Sequence, residues 1–546
     1  MEYRSLPVRT RQVGLTSTTV RHSSVGRMAG DSSTTKSNPV VNFVVALWKV
    51  LWEIWIEPFL QFIHVYEPAD RTYGRSEVPF SKMEQRLHEN PDVTVSFYKA
   101  MMPNGKDFVW YQVWEDKLAM RSTGRVADMV FCHGTGVHSG TLASHSRRYL
   151  DAGYRLIVPD LPSHGYSTGR HVYQPTMKGY TDGVYQAIHD VARRDDEAEG
   201  RKIPKQNRRR TFLLGLSFGG LVALLYPIYY PASARNDTTD MDEIPVDGVV
   251  AVGPILHFNP KDVKVSPVVR FIVTIIRFLN AGRLELYVPH KQAVDKDPKV
   301  YKQLVDQDMR SHRGAFRVGH LLCVRRGIAD VQELADKFTV PVYIQHGLQD
   351  RVVSVTSSTT WLEKIGSDDI KMSVYPVCQH VIYRKAKTEE EDLAGRVCVL
   401  EDNVAWMNAR CPGIGHIERG VSFSSDHSDM SKDASQRTLA YSGFSSGLMT
   451  PSEAALSSMG QPNIVEDTIQ SLTDKLGAFD QEGAKSTGVD NDASSTSQSL
   501  SNRLAKDSAK QPITPVSGPD DSVEHRVYRG NWTLPQEMRP YDILID

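Results

Sequence analysis

In a chain of 546 residues, 64 Lys and Arg stand against 65 Asp and Glu, so no global basic excess is available to hold a nucleic acid. The five cysteines are odd in number and lack a Cys-x-x-Cys pair, which argues against a disulfide scaffold or a zinc ribbon. Cys132, Cys323 and Cys398 lie in core-like segments, so reduced thiols and a cytosol-facing domain are expected, with no metal and no cofactor.

In chain order, residues 1–38 are rich in Ser, Thr and Arg without hydrophobic periodicity and read as disordered. They lack the apolar core of a secretory signal, while their arginines leave a mitochondrial presequence as the lesser alternative. Composition then turns aromatic and aliphatic over 39–66. Lys49, Glu53 and Glu57 recur every four residues along one helix face, and Trp48, Trp52, Trp55, Leu47, Leu51 and Ile54 cover the rest. Three charges followed by Pro58 fit a span of about 20 apolar residues poorly. The expectation is an amphipathic helix in the headgroup region, charged stripe in water and tryptophans at the lipid boundary, giving peripheral membrane attachment on the cytoplasmic side. Packing of this helix on the catalytic domain itself, or a signal-anchor span, stays open.

Apolar runs at 127–133, 154–159, 211–216, 247–253, 341–346 and 370–375 alternate with helical stretches. That pattern is an α/β fold, a mostly parallel sheet with helices on both faces, over a domain of 67–412. Leu393, Val397, Leu400, Val404 and Met407 share one helical face, so a last helix near Cys411-Pro412 is expected to close it. Between the fourth and fifth strands, about 255–335 is chain enough for a cap. There Phe271, Ile275 and Phe278 lie opposite Arg270, Thr274 and Arg277, placed to line an acyl channel or to pack as core. From 255 to 290, five Lys and Arg stand against two acids, which suits a phospholipid surface better than a peptide's amino terminus. Residues 413–546, rich in Ser, Asp, Gly and Gln, read as a disordered tail. Its end, 532–545, is apolar enough to dock at a place the sequence does not name.

The chemistry concentrates at strand ends. Gly215-Leu216-Ser217-Phe218-Gly219 follows a strand and opens a helix, the context of a nucleophile elbow, where flanking glycines make room for a sharp turn that lifts the hydroxyl. A Gly-Ser turn is the bland alternative. A serine needs a base, a group that orients the base and donors for an oxyanion. His380 follows the 370–375 strand and is the candidate base, and Asp350 follows the 341–346 strand and is the candidate orienting acid. The order Ser217, Asp350, His380 is that of the α/β-hydrolase arrangement rather than the chymotrypsin or subtilisin one. After the strand ending at Cys132, His133-Gly134-Thr135-Gly136 turns backbone N–H groups inward. Those of Thr135 and Phe218 are the expected oxyanion hole, with His133 a structural loop residue.

His133 through Gly140, Asp160 through Gly169, the elbow, His346 through Asp350 and Gln379-His380 together resemble the monoacylglycerol lipase group of α/β-hydrolases, which also bears the serine aminopeptidase domain label. Asp297 through Tyr301 and Asp306 through Met309 are similar to cap segments found there. Two positions depart from the family's pattern: Leu216 stands where these lipases usually carry His, and Ser163 where Gly is common. The resemblance implies an α/β-hydrolase fold with a helical cap and a serine hydrolase of lipophilic carboxylic esters, monoacylglycerol-like or lysophospholipid-like. An aminopeptidase or amidase using the same three residues, or a noncatalytic membrane adaptor on the same scaffold, remains open.

Overall fold

The computed structural model describes residues 39–257, 274–275, 282–283, 308–413, 526–528 and 534–545. The chain forms two units, Met1–Trp52 and Glu53–Asp546. In the first, helix α1 (Pro39–Leu51) carries one charge, Lys49, and exposes apolar side chains around its circumference, among them Val40, Phe43, Val44, Leu47 and Trp48. Among the described residues, no helix is long and apolar enough to cross a membrane.

The second unit opens on a π-helical turn through Ile56 and α2 (Glu57–Phe62). Here the expectation of a charged stripe in water is overturned. Glu57 is 1% exposed and accepts from Tyr73 Oη at 3.0 Å, with Arg170 and Arg283 ion-paired to it. Glu53 pairs with Arg170 at 3.1 Å and with Arg317. Two carboxylates one helical turn apart meet guanidiniums from three separate segments, and these charge-assisted bonds replace hydration. The stripe therefore grips the body of the domain, and for Glu53–Phe62 the packed-helix alternative is the one realised.

All six expected strands form, with ends shifted by no more than one residue: β3 (Ala127–Cys132), β4 (Arg155–Pro159), β5 (Arg210–Leu216), β6 (Gly248–Val252), β7 (Val342–Gly347) and β8 (Ile370–Tyr375). An unforeseen antiparallel hairpin, β1 (Thr94–Met101) and β2 (Phe108–Glu115), precedes them. Two short strands from the chain's end, β9 (Arg526–Tyr528) and β10 (Tyr541–Ile543), follow. The ten strands run β1-β2-β4-β3-β5-β6-β7-β8-β10-β9, parallel from β4 to β8 and antiparallel at both edges.

The last two strands correct the reading of 413–546 as wholly disordered. β10 pairs with β8, Tyr541 opposite Val374, and Tyr541 is buried. The place left unnamed for the apolar end is thus the open edge of β8, whose unpaired N–H and C=O groups a strand satisfies. The Cys398–Arg410 helix ends as expected, but it does not close the fold. Leu393 is exposed because the chain turns away from helical geometry at Gly395.

The central strands read as nearly continuous apolar runs because both their faces are covered. Val130, Leu213, Val249 and Ile344 face α3 (Met177–Glu199), α4 (Phe218–Tyr229) and the Val318–Glu333 helix. Met129, Phe131, Phe212, Leu214 and Tyr343 face Tyr149, Leu150, Trp406 and Met407 on the other side. Two fully packed layers leave the C-terminal ends of the parallel strands as the rigid rim on which a site can be built.

Candidate active site

At the end of β5 the chain turns into α4 through Ser217, which holds φ 55° and ψ −114°. The left-handed φ is strained for a residue with a Cβ, and the surroundings enforce it. Ser217 N–H donates to the Val252 carbonyl at 2.9 Å. The flanking glycines are required sterically: a Cβ on Gly215 would lie 2.3 Å from the Gly219 carbonyl oxygen, and one on Gly219 2.0 Å from the Cys132 carbonyl oxygen. Sheet and helix therefore close on the turn from both sides and lift the hydroxyl into a half-buried position.

Asp350 follows β7 and His380 follows β8, and both side chains reach across to the elbow. Ser217 Oγ lies 2.8 Å from His380 Nε2, and His380 Nδ1 lies 2.7 Å from Asp350 Oδ2. The Asp350 carboxylate is 1% exposed and the His380 ring 8%. Burial alone would raise the Asp350 carboxyl. The charge of His380 and the hydrogen bonds of His346 and His380 outweigh it and hold the group well below the usual carboxylate range. Its other oxygen, Oδ1, accepts the N–H groups of Val352 and Val353 at 2.8 and 2.9 Å, so the carboxylate cannot swing. An ionised, fixed acid beside Nδ1 keeps the opposite ring nitrogen directed at the serine.

The loop after β3 passes directly over the elbow: a Cβ on Gly134 would meet Leu216 O at 3.7 Å and Ser217 Cβ at 3.9 Å. Thr135 stands at the turn of this loop. Phe218 is the first residue of α4, where N–H groups have no acceptor within the helix. His133 is fully buried with both nitrogens engaged, Nδ1 with Gly134 O and Nε2 with Leu161 N–H, and burial pushes it down to about 4. It is a neutral brace for the loop.

Phe271 and Phe278 lie outside the described residues. Ile275 is described and is 39% exposed. All five cysteines are free thiols, and among the described residues no His, Cys, Asp and Glu group is arranged to hold a metal.

Several contributors carry signals that the sequence did not resolve into roles. His346 adds a second imidazole to Asp350, Nε2 3.5 Å from Oδ2. Gly253, directly after β6, holds a φ of 53° that side-chain-bearing residues rarely adopt, and it lies beside the pair, its Cβ position 3.6 Å from Asp350 Oδ2 and 3.8 Å from His380 Nδ1. Asp160 accepts Ser139 N–H at 2.9 Å, Ser139 Oγ at 2.7 Å and Tyr166 N–H at 2.7 Å, binding the loop after β3 to the loop after β4. Ser163, at φ 67°, does what the usual glycine would do, and its Oγ accepts Tyr173 N–H at 3.1 Å.

Residues 125–386 match the family model described as serine aminopeptidase, S33. The chain has the fold of the α/β hydrolases. The chain is 23% identical over 300 residues to a monoacylglycerol lipase of Mycolicibacterium smegmatis, covering 54% of this chain and 91% of the relative. It is 27% identical over 266 residues to caffeoylshikimate esterase of Arabidopsis thaliana, covering 48% and 71%. A soluble variant of the Saccharomyces cerevisiae monoglyceride lipase, solved with a substrate analogue, superposes with a TM-score of 0.45 at 16% identity, over 59% of this hydrolase and 97% of that chain.

Proposed function

We propose that this α/β hydrolase is a carboxylic ester hydrolase that cleaves lipophilic esters, monoacylglycerol-like or lysophospholipid-like, through an acyl-enzyme. The observation that carries the reading is the unbroken contact chain from Ser217 Oγ through His380 to Asp350, at 2.8 and 2.7 Å. Ser217 attacks the acyl carbonyl while His380 Nε2 takes its proton, and the ionised Asp350 stabilises the imidazolium that forms. The backbone N–H groups of Thr135 and Phe218 receive the oxyanion. His380 then gives the proton to the leaving alcohol, and water, deprotonated by the same imidazole, releases the acid. No cofactor enters this scheme. The lipid preference rests on the names of the relatives and on the apolar cap residues the sequence places over the site, and the enzyme works peripherally at a membrane through residues 39–66.

A series of acyl esters compared with aminoacyl anilides tests this reading. Each methylene buried in an acyl channel contributes about 0.8 kcal/mol, so kcat/KM climbs from short to medium chains before the channel fills. The anilides stay poor substrates, and a fluorophosphonate labels Ser217. A flat acyl profile with efficient anilide cleavage would replace the lipid esterase by an aminopeptidase.

A further inference from the structure

The stretch from Asp308 to His320 lies against both residues whose N–H groups are assigned to the oxyanion. On the Thr135 side it makes two bonds. The Asp308 carboxylate meets His138 Nε2 at 2.5 Å, and the His312 N–H donates to Gly136 O at 2.6 Å. Gly136 directly follows Thr135 and His138 comes two residues later, so the loop is gripped at two points just beyond the Thr135 N–H. The grip has little play. His138 is wholly buried, Asp308 Oδ1 accepts the Arg310 N–H at 3.0 Å, and a Cβ on Gly136 would stand 3.4 Å from His312 Cβ. On the Phe218 side the contact is through rings. Phe218 packs edge-on between Tyr180, with centroids 4.9 Å apart, and His320, 5.2 Å away. Tyr180 Oη lies 3.0 Å from His320 Nδ1, and all three side chains are buried. Burial pushes His320 down to about 3, so the ring is neutral and accepts from the tyrosine O–H.

We propose that Asp308 and His320 are positioning residues of the oxyanion hole, Asp308 for the Thr135 N–H through His138 and His320 for the Phe218 N–H through the aromatic ring. The role rests on the ester-hydrolase reading above and adds to it a common setting for the two donors. Ser217, Asp350 and His380 follow the ends of three different strands, β5, β7 and β8, whereas both donors are held from one stretch of chain. Negative charge reaches the carbonyl oxygen only in the transition state, and a donor acts on it only from about 2.7–3.1 Å. The close packing around His138 and around Phe218 transmits a displaced partner to the backbone instead of absorbing it. Loss of either contact therefore slows the chemical step and leaves ground-state binding nearly unchanged.

Asp308→Ala and His320→Leu, each in the full chain, test the roles with a short soluble ester and with an alkyl trifluoromethyl ketone. Ser217 Oγ adds to the ketone carbonyl, its proton passes to His380, and the hemiketal oxygen is left as an anion in the hole. Rates are divided by the concentration of sites that a fluorophosphonate titrates, so misfolded protein does not count. Each variant is expected to lose about 10- to 100-fold in kcat with KM held within about twofold. Its affinity for the ketone falls by the same factor as kcat/KM. Asp308→Asn, which keeps a hydrogen bond to His138 without the charge, and Tyr180→Phe, which removes only the hydroxyl at His320, should lose about three- to tenfold. Where a larger change leaves no titratable sites, this milder pair decides by the same criteria. A loss carried by KM, or a fall in kcat with undiminished ketone affinity, overturns the proposal, and native turnover per site in either variant strikes that residue's role. A native chain that neither cleaves the ester nor binds the ketone defeats the ester-hydrolase reading itself, and the positioning roles go with it.

Discussion

His138, in the loop that follows β3, holds Asp308 at the base of the cap, its Nε2 2.5 Å from the carboxylate Oδ2. The His138 ring is fully buried, and its Nδ1 accepts the Gly140 N–H at 3.1 Å. The loop over Ser217 is therefore tied to the segment that begins at Asp308 through partners 170 residues apart, and His312 N–H adds a bond to Gly136 O at 2.6 Å.

That bond has a pH signature. Burial alone would lower His138, but the hydrogen bond and charge of Asp308 reverse this and raise it. Burial likewise disfavours the Asp308 anion, and His138 holds it below its ordinary value. A raised histidine contributes stability below its unfolded pKa of about 6.5 and loses it as pH rises through the folded value. A lowered aspartate contributes above about 3.9 and loses it as pH falls. Asp308→Asn should therefore depress the thermal midpoint most between about pH 4 and 6.5 and least near pH 9. A depression of constant size across that range would sink the ion-pair account.

For catalysis, the three contacting side chains are expected to act as a unit. Ser217→Ala should lower kcat on a short soluble ester by about a millionfold, and Asp350→Asn, which leaves the imidazole in the wrong tautomer, by about ten-thousandfold. Circular dichroism should show both variants folded. Near-native turnover by either one rules out its assigned role.

Arg310 and Glu84 form an ion pair in which both side chains are wholly buried, with Arg310 4.6 Å from the Tyr166 ring. Glu84 also accepts Ser81 N–H at 2.9 Å. Arg310→Met strands the carboxylate and should cost about 3–5 kcal/mol in urea unfolding. Glu84→Gln combined with Arg310→Met should cost clearly less, because no buried charge is left alone. Equal losses in the two proteins would mean that packing, not charge, dominates at this contact.

The C-terminal hairpin should behave as core. Tyr541→Ala removes a buried ring and should cost about 3 kcal/mol, whereas Val527→Ala, on an exposed position of β9, should stay within about 0.5 kcal/mol. Comparable thermal midpoints for the two variants would place the hairpin outside the cooperative fold.

The parallel strands were legible because each buries both faces and so writes an unbroken apolar run. Ser217, Asp350 and His380 were legible because each follows such a run. The β1–β2 hairpin has its own sign in Asn104-Gly105 between two aromatic-rich runs, but as an antiparallel pair it stands outside the alternation of strand and helix that marks the parallel sheet. β9 and β10 are three residues each, too short for periodicity to register. Glu53 and Glu57 were placed in water because helix spacing reports which residues share a face, not what that face meets. Their arginine partners come from positions more than a hundred residues further on. His138, Asp308 and Gly253 escaped for the same reason: each acquires its meaning only when the segment from Asp308 and the end of β6 are set beside the loops around the elbow.

The order in which the sheet is completed has a cost in time. β8 and the His380 that follows it leave the ribosome well before β10, which among the described residues pairs with the β8 edge, and at ordinary rates of synthesis the interval is roughly 10 to 30 s. For that interval the nascent enzyme carries an open strand beside its assembled core, the kind of edge that recruits other chains. Yield in a cell should then depend on how quickly residues 526–545 follow, so slow codons placed ahead of them would be expected to raise the aggregated fraction without altering one residue of the product.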